Sequence, residues 1–247
     1  MKLSLIVPIY NEAAHLRRVL SRLFGTKFPV ATEWILVDDC STDGSRDLLR
    51  AMQKEFPFVL IEQPKNQGKG AAVRAGIAHM TGDCLVIQDA DFEYDPNDIT
   101  DVLQPILDGK ADAVYGSRFK HGPQVRRTYH YFVNRLLTVL SNLLSGIYLT
   151  DMETCYKCFR SDLIKAMKLR SNRFGIEVEL TAYVAKTKAR IFEVPISYFP
   201  RTHLQGKKIN WKDGFAALYH LVVFNKLVGL EGAFSKLPKQ FDPNVQE

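Results

Sequence analysis

The chain has no GxGxxG after its first apolar segment and no GxxxxGK[ST] anywhere in its 247 residues. The first absence argues against a dinucleotide-binding fingerprint, where glycines let the backbone close on a pyrophosphate, and the second against a P-loop. No uninterrupted apolar run reaches the roughly 18 residues that a membrane-spanning helix requires. The opening Met1-Lys2-Leu3-Ser4-Leu5-Ile6-Val7-Pro8 is too short, and broken too soon by proline, to be a signal peptide. Cysteine is scarce, with four residues at 40, 84, 155 and 158. Cys155 and Cys158 form a CxxC, but no second CxxC or His pair completes a zinc site. Reduced structural thiols are therefore the expectation, in keeping with a cytoplasmic chain. Charge of one sign is also in short supply: 33 Lys and Arg against 27 Asp and Glu leave only +6. That excess suits an anionic partner such as a nucleotide or an acidic membrane surface, and no nucleic-acid partner is expected. With 46% hydrophobic and 24% charged residues the composition is that of a globular protein, and the length fits one large domain or a domain with an appendage.

What is present is an alternation of short apolar runs and helical patterns. Leu3–Val7, Trp34–Val37, Phe58–Ile61, Cys84–Ile87 and Ala113–Tyr115 read as strands. Between them Ala13–Phe24, Gly44–Glu55, Lys69–Met80 and Pro96–Leu107 read as helices, the first with Leu16, Val19, Leu20 and Leu23 on one face. Such alternation implies parallel strands joined by right-handed crossovers, hence an α/β fold with a mostly parallel central sheet flanked by helices. Ligands of such sheets bind beyond the C-terminal strand ends. Polar residues gather there: Pro8, Tyr10, Asn11 and Glu12 after the first strand, Asp38 and Asp39 after the second, Asp89 and Asp91 after the fourth. Helix capping explains Asp43 or Asp95 singly, but not the whole set.

The string Gln88-Asp89-Ala90-Asp91 is the sharpest of these signals. Side chains alternate along a strand, so Asp89 and Asp91 point the same way. Two converging carboxylates repel unless a cation compensates, and a divalent metal carrying a phosphorylated ligand is one such compensator. The competing reading is an acidic turn that caps the next helix, since Asp95-Pro96-Asn97 is turn chemistry. Gly68-Lys69-Gly70 opens a helix, either as a plain helix start or with free N–H groups that meet an anion.

Taken in order, Val7-Pro8-Ile9-Tyr10-Asn11-Glu12, Val37-Asp38-Asp39-Cys40-Ser41-Thr42-Asp43-Gly44, Asn66-Gln67-Gly68-Lys69-Gly70, Asp89-Ala90-Asp91 and Gly116-Ser117-Arg118-Phe119 resemble the family 2 glycosyltransferases. Within them the chain is most similar to the polyprenyl (dolichyl) phosphate mannosyl- and glucosyltransferases, from Leu3 to about Gly206. The resemblance implies a GT-A fold and an inverting reaction on a GDP- or UDP-hexose, with Mg²⁺ or Mn²⁺ as cofactor. It implies that Pro8, Tyr10, Glu12, Val37 and Asp39 surround the base and ribose, with Lys69 near the base side. Ala90 lies within the DXD-type motif, Asp89 holds the ribose or the Lys69 region, and Asp91 binds the metal. Arg118 contacts the sugar and phosphates. The family motif often reads Asp-Ala-Asp-Leu-Gln, whereas this chain has Asp89-Ala90-Asp91-Phe92-Glu93, so Glu93 is carried over as a second metal ligand with an added charge.

Breaking the bond between an anomeric carbon and a phosphate oxygen builds negative charge on the departing diphosphate. A metal on Asp91 and a bidentate guanidinium stabilise it. A sugar hydroxyl as acceptor needs a carboxylate base, whereas a lipid phosphate is already anionic. The base candidates are Asp151, Glu153, Glu177 and Glu179. Glu177 and Glu179 lie two apart on a helix and diverge by about 200°, so only one faces the pocket. This favours polyprenyl phosphate as acceptor, with a sugar hydroxyl as the alternative.

Tyr129, Phe132, Val133, Leu136, Leu137, Leu140, Leu143, Leu144 and Ile147 form one helical stripe, with Arg126, Arg127 and Arg135 at its start. Such a helix packs on the sheet or lies on an anionic membrane, and the resemblance favours an interface helix over 128–148. Residues 1–210 are expected to form the catalytic domain and 211–247 a C-terminal helix with a polar tail, so that membrane contact is peripheral, on the cytoplasmic face. The basic loop Pro200-Arg201-Thr202-His203-Leu204-Gln205-Gly206-Lys207-Lys208 is either a solvated turn or, as the resemblance implies, a phosphate clamp in which Arg201 is catalytic beside Asp91 and Arg118.

Overall fold

The computed structural model describes residues 1–120, 128–200 and 211–245. Arg201 and the rest of its loop, with Arg126 and Arg127, lie outside the described residues. Seven strands run in chain order as β1 (Lys2–Ile9), β2 (Ala31–Asp38), β3 (Val59–Glu62), β4 (Cys84–Ile87), β5 (Ala113–Ser117), β6 (Lys157–Arg160) and β7 (Ile191–Pro195). They form one sheet in the order β3-β2-β1-β4-β6-β5-β7. The pairs β1·β2, β2·β3, β1·β4 and β5·β7 are parallel, while β6 runs antiparallel to both β4 and β5. The α/β sheet is therefore mostly parallel, as the alternating pattern predicts. The CxxC segment supplies the reversed strand β6, and its two cysteines, like Cys84, are buried free thiols.

The helices follow the apolar periodicity. In α1 (Ala13–Gly25) the buried residues are Leu16, Val19, Leu20 and Leu23, the predicted face. α2 (Ser45–Met52), α3 (Lys69–His79) and α4 (Asp98–Leu107) complete the crossovers. α3 packs tightly on β1: a Cβ at Gly76 would lie 2.5 Å from Ile6 Cγ2, so any larger residue there would force Ile6 to shift. Leu3, Leu5, Ile6 and Val7 of β1 and all four residues of β4 are buried, as expected of central strands covered on both faces.

α5 (Thr128–Ser145) holds the long stripe, but the stripe is wider than its contact with the core. Leu137 is buried and Val133, Leu140, Leu144 and Ile147 are half-buried, whereas Phe132, Leu136, Val139 and Leu143 are exposed. Beyond it come α6 (Ser161–Ala166), α7 (Gly175–Val184) and α8 (Trp211–Val222), the last continuing into a π-helical turn, Val223–Leu227. Leu221, Phe224, Phe234 and Phe241 join the same hydrophobic core as the sheet. No helix among the described residues is long and apolar enough to cross a membrane.

The strand order reverses direction of growth at β1, with β2 and β3 on one side and β4 on the other. A crevice forms at such a switch point, because the connections on either side leave in opposite directions. β6 has the reverse polarity, so the residues that precede it, not those that follow, reach this same rim.

Candidate active site

The loops after β1 and β2 are braced against each other. Asn11 (φ 51°) and Cys40 (φ 61°) both adopt left-handed backbone, a costly conformation for a non-glycine residue that persists where neighbours enforce it. Asn11 N–H donates to Ser41 Oγ at 3.0 Å, and Asn11 Oδ1 accepts Thr42 N–H at 2.8 Å. Glu12 N–H donates to Ser45 Oγ, and Asp43 accepts Ala13 N–H. Pro8 is half-buried and Tyr10 is exposed at the rim. Val37 is fully buried, so it shapes the floor of the crevice without presenting its side chain.

Asp38 and Asp39 do different work. Asp38 is fully buried and accepts Arg46 Nε at 2.7 Å. Asp39 turns to the next loop, accepting Gln67 N–H at 2.8 Å, Gly68 N–H at 2.6 Å and Gln63 Nε2 at 3.0 Å. Burial pushes its carboxyl upward, and the two backbone N–H groups pull it back in part. Gly68 has φ 94° and abuts Asn172, where a Cβ would lie 2.6 Å from the carbonyl oxygen. Gly68 N–H donates to Asp39 and Ala71 N–H to Asn172 O, so these two N–H groups are not open to an anion.

The two acids after β4 separate in the same way. Lys69 Nζ lies 2.8 Å from Asp89 Oδ1 and 2.8 Å from Glu177 Oε1. Burial opposes its charge, but the two carboxylates outweigh burial and hold it as a cation. Ala90 is buried. Asp91 is 7% exposed, and its Oδ1 accepts Glu93 N–H at 2.9 Å. Glu93 Oε2 accepts the Tyr198 hydroxyl at 3.0 Å, and Glu93 O accepts Phe199 N–H. Tyr198 and Phe199 are thereby tied to the turn that follows β4.

Arg118, just after β5, is 7% exposed and chelated by Asp151, with Nε to Oδ2 at 2.7 Å and Nη2 to Oδ1 at 2.8 Å. Its guanidinium carbon sits 5.0 Å from the centre of the Tyr198 ring. Burial works against this charge and Asp151 more than restores it.

Of the four base candidates, Asp151 is thus committed to Arg118. Glu179 is fully buried with Oε1 on Arg170 N–H and Oε2 on Ser171 N–H. The predicted divergence on α7 is observed, and Glu177 is the one turned to the crevice. Glu177 Oε2 and Glu153 Oε1 are buried without a hydrogen-bond partner. Burial, reinforced by the nearby Glu177, pushes the Glu153 carboxyl up to about 7. Sequence reasoning missed Lys157 and Tyr198. Lys157 begins β6, buried, with Nζ donating to Thr154 O and lying 5.4 Å from the centre of the Tyr115 ring. Lys157 lies inside the CxxC, which by itself points to no such role, and Tyr198 in no motif; the reversed strand and the Tyr94–Tyr198 bridge position them.

Asp91 and Glu93 supply hard oxygen donors within one turn. Among the described residues no group of three His, Cys, Asp or Glu side chains forms a metal cluster. Two carboxylates with positions left over fit a divalent cation that takes its remaining ligands from phosphate and water, and do not fit a closed structural site.

A sequence profile of glycosyl transferase family 2 matches residues 4–167. The undecaprenyl-phosphate mannosyltransferase of Micrococcus luteus is 30% identical over 210 residues, which cover 81% of this chain and 85% of that one. The dolichol-phosphate mannosyltransferase of Pyrococcus furiosus is 25% identical over 245 residues, 97% of this chain and 67% of that one. Among solved structures, glucosyl-3-phosphoglycerate synthase from Mycobacterium tuberculosis, crystallised with Mn²⁺, UDP-glucose and glycerol 3-phosphate, superposes with TM-score 0.67 at 18% identity. The match covers 91% of this chain and 80% of that one, and it establishes the shared GT-A fold. The chain is a hexosyltransferase that belongs to glycosyl transferase family 2.

Proposed function

We propose that the enzyme moves a hexose from a GDP- or UDP-sugar to polyprenyl phosphate, with inversion, at the cytoplasmic face of a membrane. The donor occupies the crevice at the ends of β1, β2 and β4. Pro8, Tyr10, Glu12, Val37 and Asp39 border its base and ribose, with Lys69, paired to Asp89, on the base side. Asp91 and Glu93 hold a divalent cation, which when bound supplies Lewis-acid stabilisation of the leaving diphosphate. Arg118, oriented by Asp151, and Arg201 add guanidinium charge there. The lipid phosphate oxygen forms the new bond to the anomeric carbon from the face opposite the breaking one.

The observation that carries the acceptor class is the fate of the candidate bases. Three of the four, Asp151, Glu179 and Glu177, are engaged by Arg118, two backbone N–H groups and Lys69, while Glu153 Oε1 is left without a partner. An anionic phosphate attacks without such a base. The relatives named for dolichol- and undecaprenyl-phosphate support the same class. The unpartnered Glu177 Oε2 favours the second reading, a sugar hydroxyl as acceptor.

Peripheral membrane contact is assigned to the exposed row Phe132, Leu136, Val139 and Leu143, continued on α8 by Leu218, Tyr219 and Val222. The test is incubation with Mn²⁺ and a panel of GDP- and UDP-sugars, with and without polyprenyl phosphate. Lipid-linked product supports the proposal, and turnover confined to saccharide acceptors overturns it. Asp91→Ala should abolish metal-dependent transfer in a folded protein, and full activity in that variant would refute the metal assignment.

A further inference from the structure

Glu193 is the middle residue of β7, an edge strand, yet its side chain is 7% exposed and both of its carboxylate oxygens are in use. Oε1 accepts Thr150 N–H at 2.8 Å and Asp151 N–H at 3.0 Å. Oε2 accepts the Thr150 hydroxyl at 2.8 Å and the Lys120 ammonium at 3.1 Å. Thr150 and Asp151 belong to the irregular segment between α5 and β6, where no helix or strand satisfies their backbone. Among the described residues no other group accepts either N–H. The two residues so held are the ones that hold Arg118. Asp151, fully buried, accepts Arg118 N–H at 2.9 Å in addition to Nε and Nη2. The Thr150 hydroxyl donates to Glu193 and so accepts from Ser117 Oγ at 2.6 Å, and Ser117 Oγ in turn accepts Phe119 N–H at 3.2 Å. Both Asp151 oxygens are committed to Arg118, so the direction of the guanidinium follows the Asp151 backbone, and that backbone follows Glu193.

We propose that Glu193 is a positioning residue for Arg118: it fixes the Thr150–Asp151 backbone, and Asp151 passes that placement on to the guanidinium. Glu193 does not touch the reacting groups. The inference rests on the reading of Arg118 as a partner of the donor diphosphate, because only then does its placement matter for transfer. The role is one of reach and not of charge. Lys120 is 40% exposed and is solvated without Glu193. Glu193→Gln keeps an oxygen for the two N–H groups, and its amide N–H meets the Thr150 hydroxyl, whose proton turns to Ser117 instead. Glu193→Asp keeps the charge but withdraws both oxygens by one methylene. The flanks of the segment have ties of their own, Arg135 Nη1 to Thr150 O at 3.1 Å and Thr138 Oγ1 to Met152 N–H at 3.2 Å, so it stays on α5 when Glu193 is shortened.

Hydrogen exchange of the Arg118 Nε–H, followed by NMR of isotope-labelled arginine and assigned by its loss in Arg118→Lys, tests the hold directly. Glu193→Asp and Glu193→Ala should each speed this exchange at least about tenfold, while Glu193→Gln stays within about threefold of wild type. The Arg46 Nε–H, bonded to Asp38 at 2.7 Å on the other side of the sheet, should keep its wild-type rate in all three. A merely structural loss of stability speeds both protons alike. Equal acceleration at Arg46, an unchanged Arg118 rate in Glu193→Asp, or Glu193→Gln as fast as Glu193→Asp overturns the proposal. Should Glu193→Ala not fold, the Asp and Gln variants decide it. Transfer from a panel of GDP- and UDP-sugars to undecaprenyl phosphate with Mn²⁺ should follow the same order, with kcat about 10–100-fold lower in Glu193→Asp and close to wild type in Glu193→Gln. Wild-type turnover in Glu193→Asp overturns the role in transfer. Should the wild type use no sugar of the panel, the donor reading fails, and the exchange rates still decide whether Glu193 fixes Arg118.

Discussion

Replacing Lys69 by methionine keeps most of the stem and removes the charge that two carboxylates share. At an effective dielectric of about 20, each contact at 2.8 Å is worth about 6 kcal/mol of attraction before desolvation is subtracted. Breaking a buried pair by removing one partner typically costs about 3–5 kcal/mol net, because the surviving charge is left buried and uncompensated. Here Asp89 and Glu177 both survive, so the upper half of that range is expected for Lys69→Met. For a domain of this size that corresponds to a fall in Tm of roughly 8–20 °C. Without the cation two carboxylates are left beside each other with no counter-charge between them. Lys69→Met/Glu177→Met should recover part of the loss, since removing both ends of a buried pair is less damaging than removing one. Thermal unfolding of the single and double variants between pH 5 and 8 provides the assay. A single variant as stable as wild type at pH 7, or strictly additive effects, would refute the reasoning.

Three further outcomes are expected. Glu33, 16% exposed, accepts from Lys2, Ser4, Thr81 and Gly82; burial would raise its carboxyl, but these partners lower it from 4.5 to about 2. That difference is worth about 3 kcal/mol, present above about pH 5 and lost as pH falls through about 2, so urea unfolding of wild type and Glu33→Gln should converge over that window, and a constant gap would contradict it. Gly68→Ala forces a side chain into a backbone region open essentially to glycine, against the Asn172 carbonyl; a loss of at least about 2 kcal/mol in urea unfolding is expected, and an unchanged midpoint would show the loop to be plastic. Leu136→Asp with Leu143→Asp should reduce sedimentation with phosphatidylglycerol vesicles at least about tenfold while leaving Tm within a degree or two, because both side chains are already exposed; undiminished vesicle binding would remove α5 from the contact.

The parallel half of the sheet was legible because β1 to β5 present short apolar runs and α1, α2 and α4 clean stripes, with α3 recognisable by its place between two such runs. β6 was not: Lys157-Cys158-Phe159-Arg160 is four residues long, carries a charge at each end and borrows its stability from β4 and β5. β7, Ile191–Pro195, hides behind Glu193 and a terminal proline. At the crevice, Asp89 and Asp91 stood out by their place after β4, but the strand ends at Ile87, so alternation does not carry through to them and the two acids separate. Helical geometry required Glu177 and Glu179 to diverge, but which one turns inward depends on how α7 docks, and that is set by contacts far away in sequence. The Arg118–Asp151 chelate spans 33 positions and the Glu93–Tyr198 contact 105, separations over which no periodicity speaks.

The connection from α5 into β6 is short and heavily tied. Asn142 bonds both N–H and O of Leu149, Arg135 reaches Thr150 O, and Thr138 Oγ1 takes Met152 N–H. The next link is Asp151, which grips Arg118. Helix and guanidinium are thus parts of one rigid bracket. A surface that seats against the exposed row of α5 meets it at a set height above Arg118, so the helix acts as a gauge that determines how deep a group anchored in that surface must reach to arrive at the crevice.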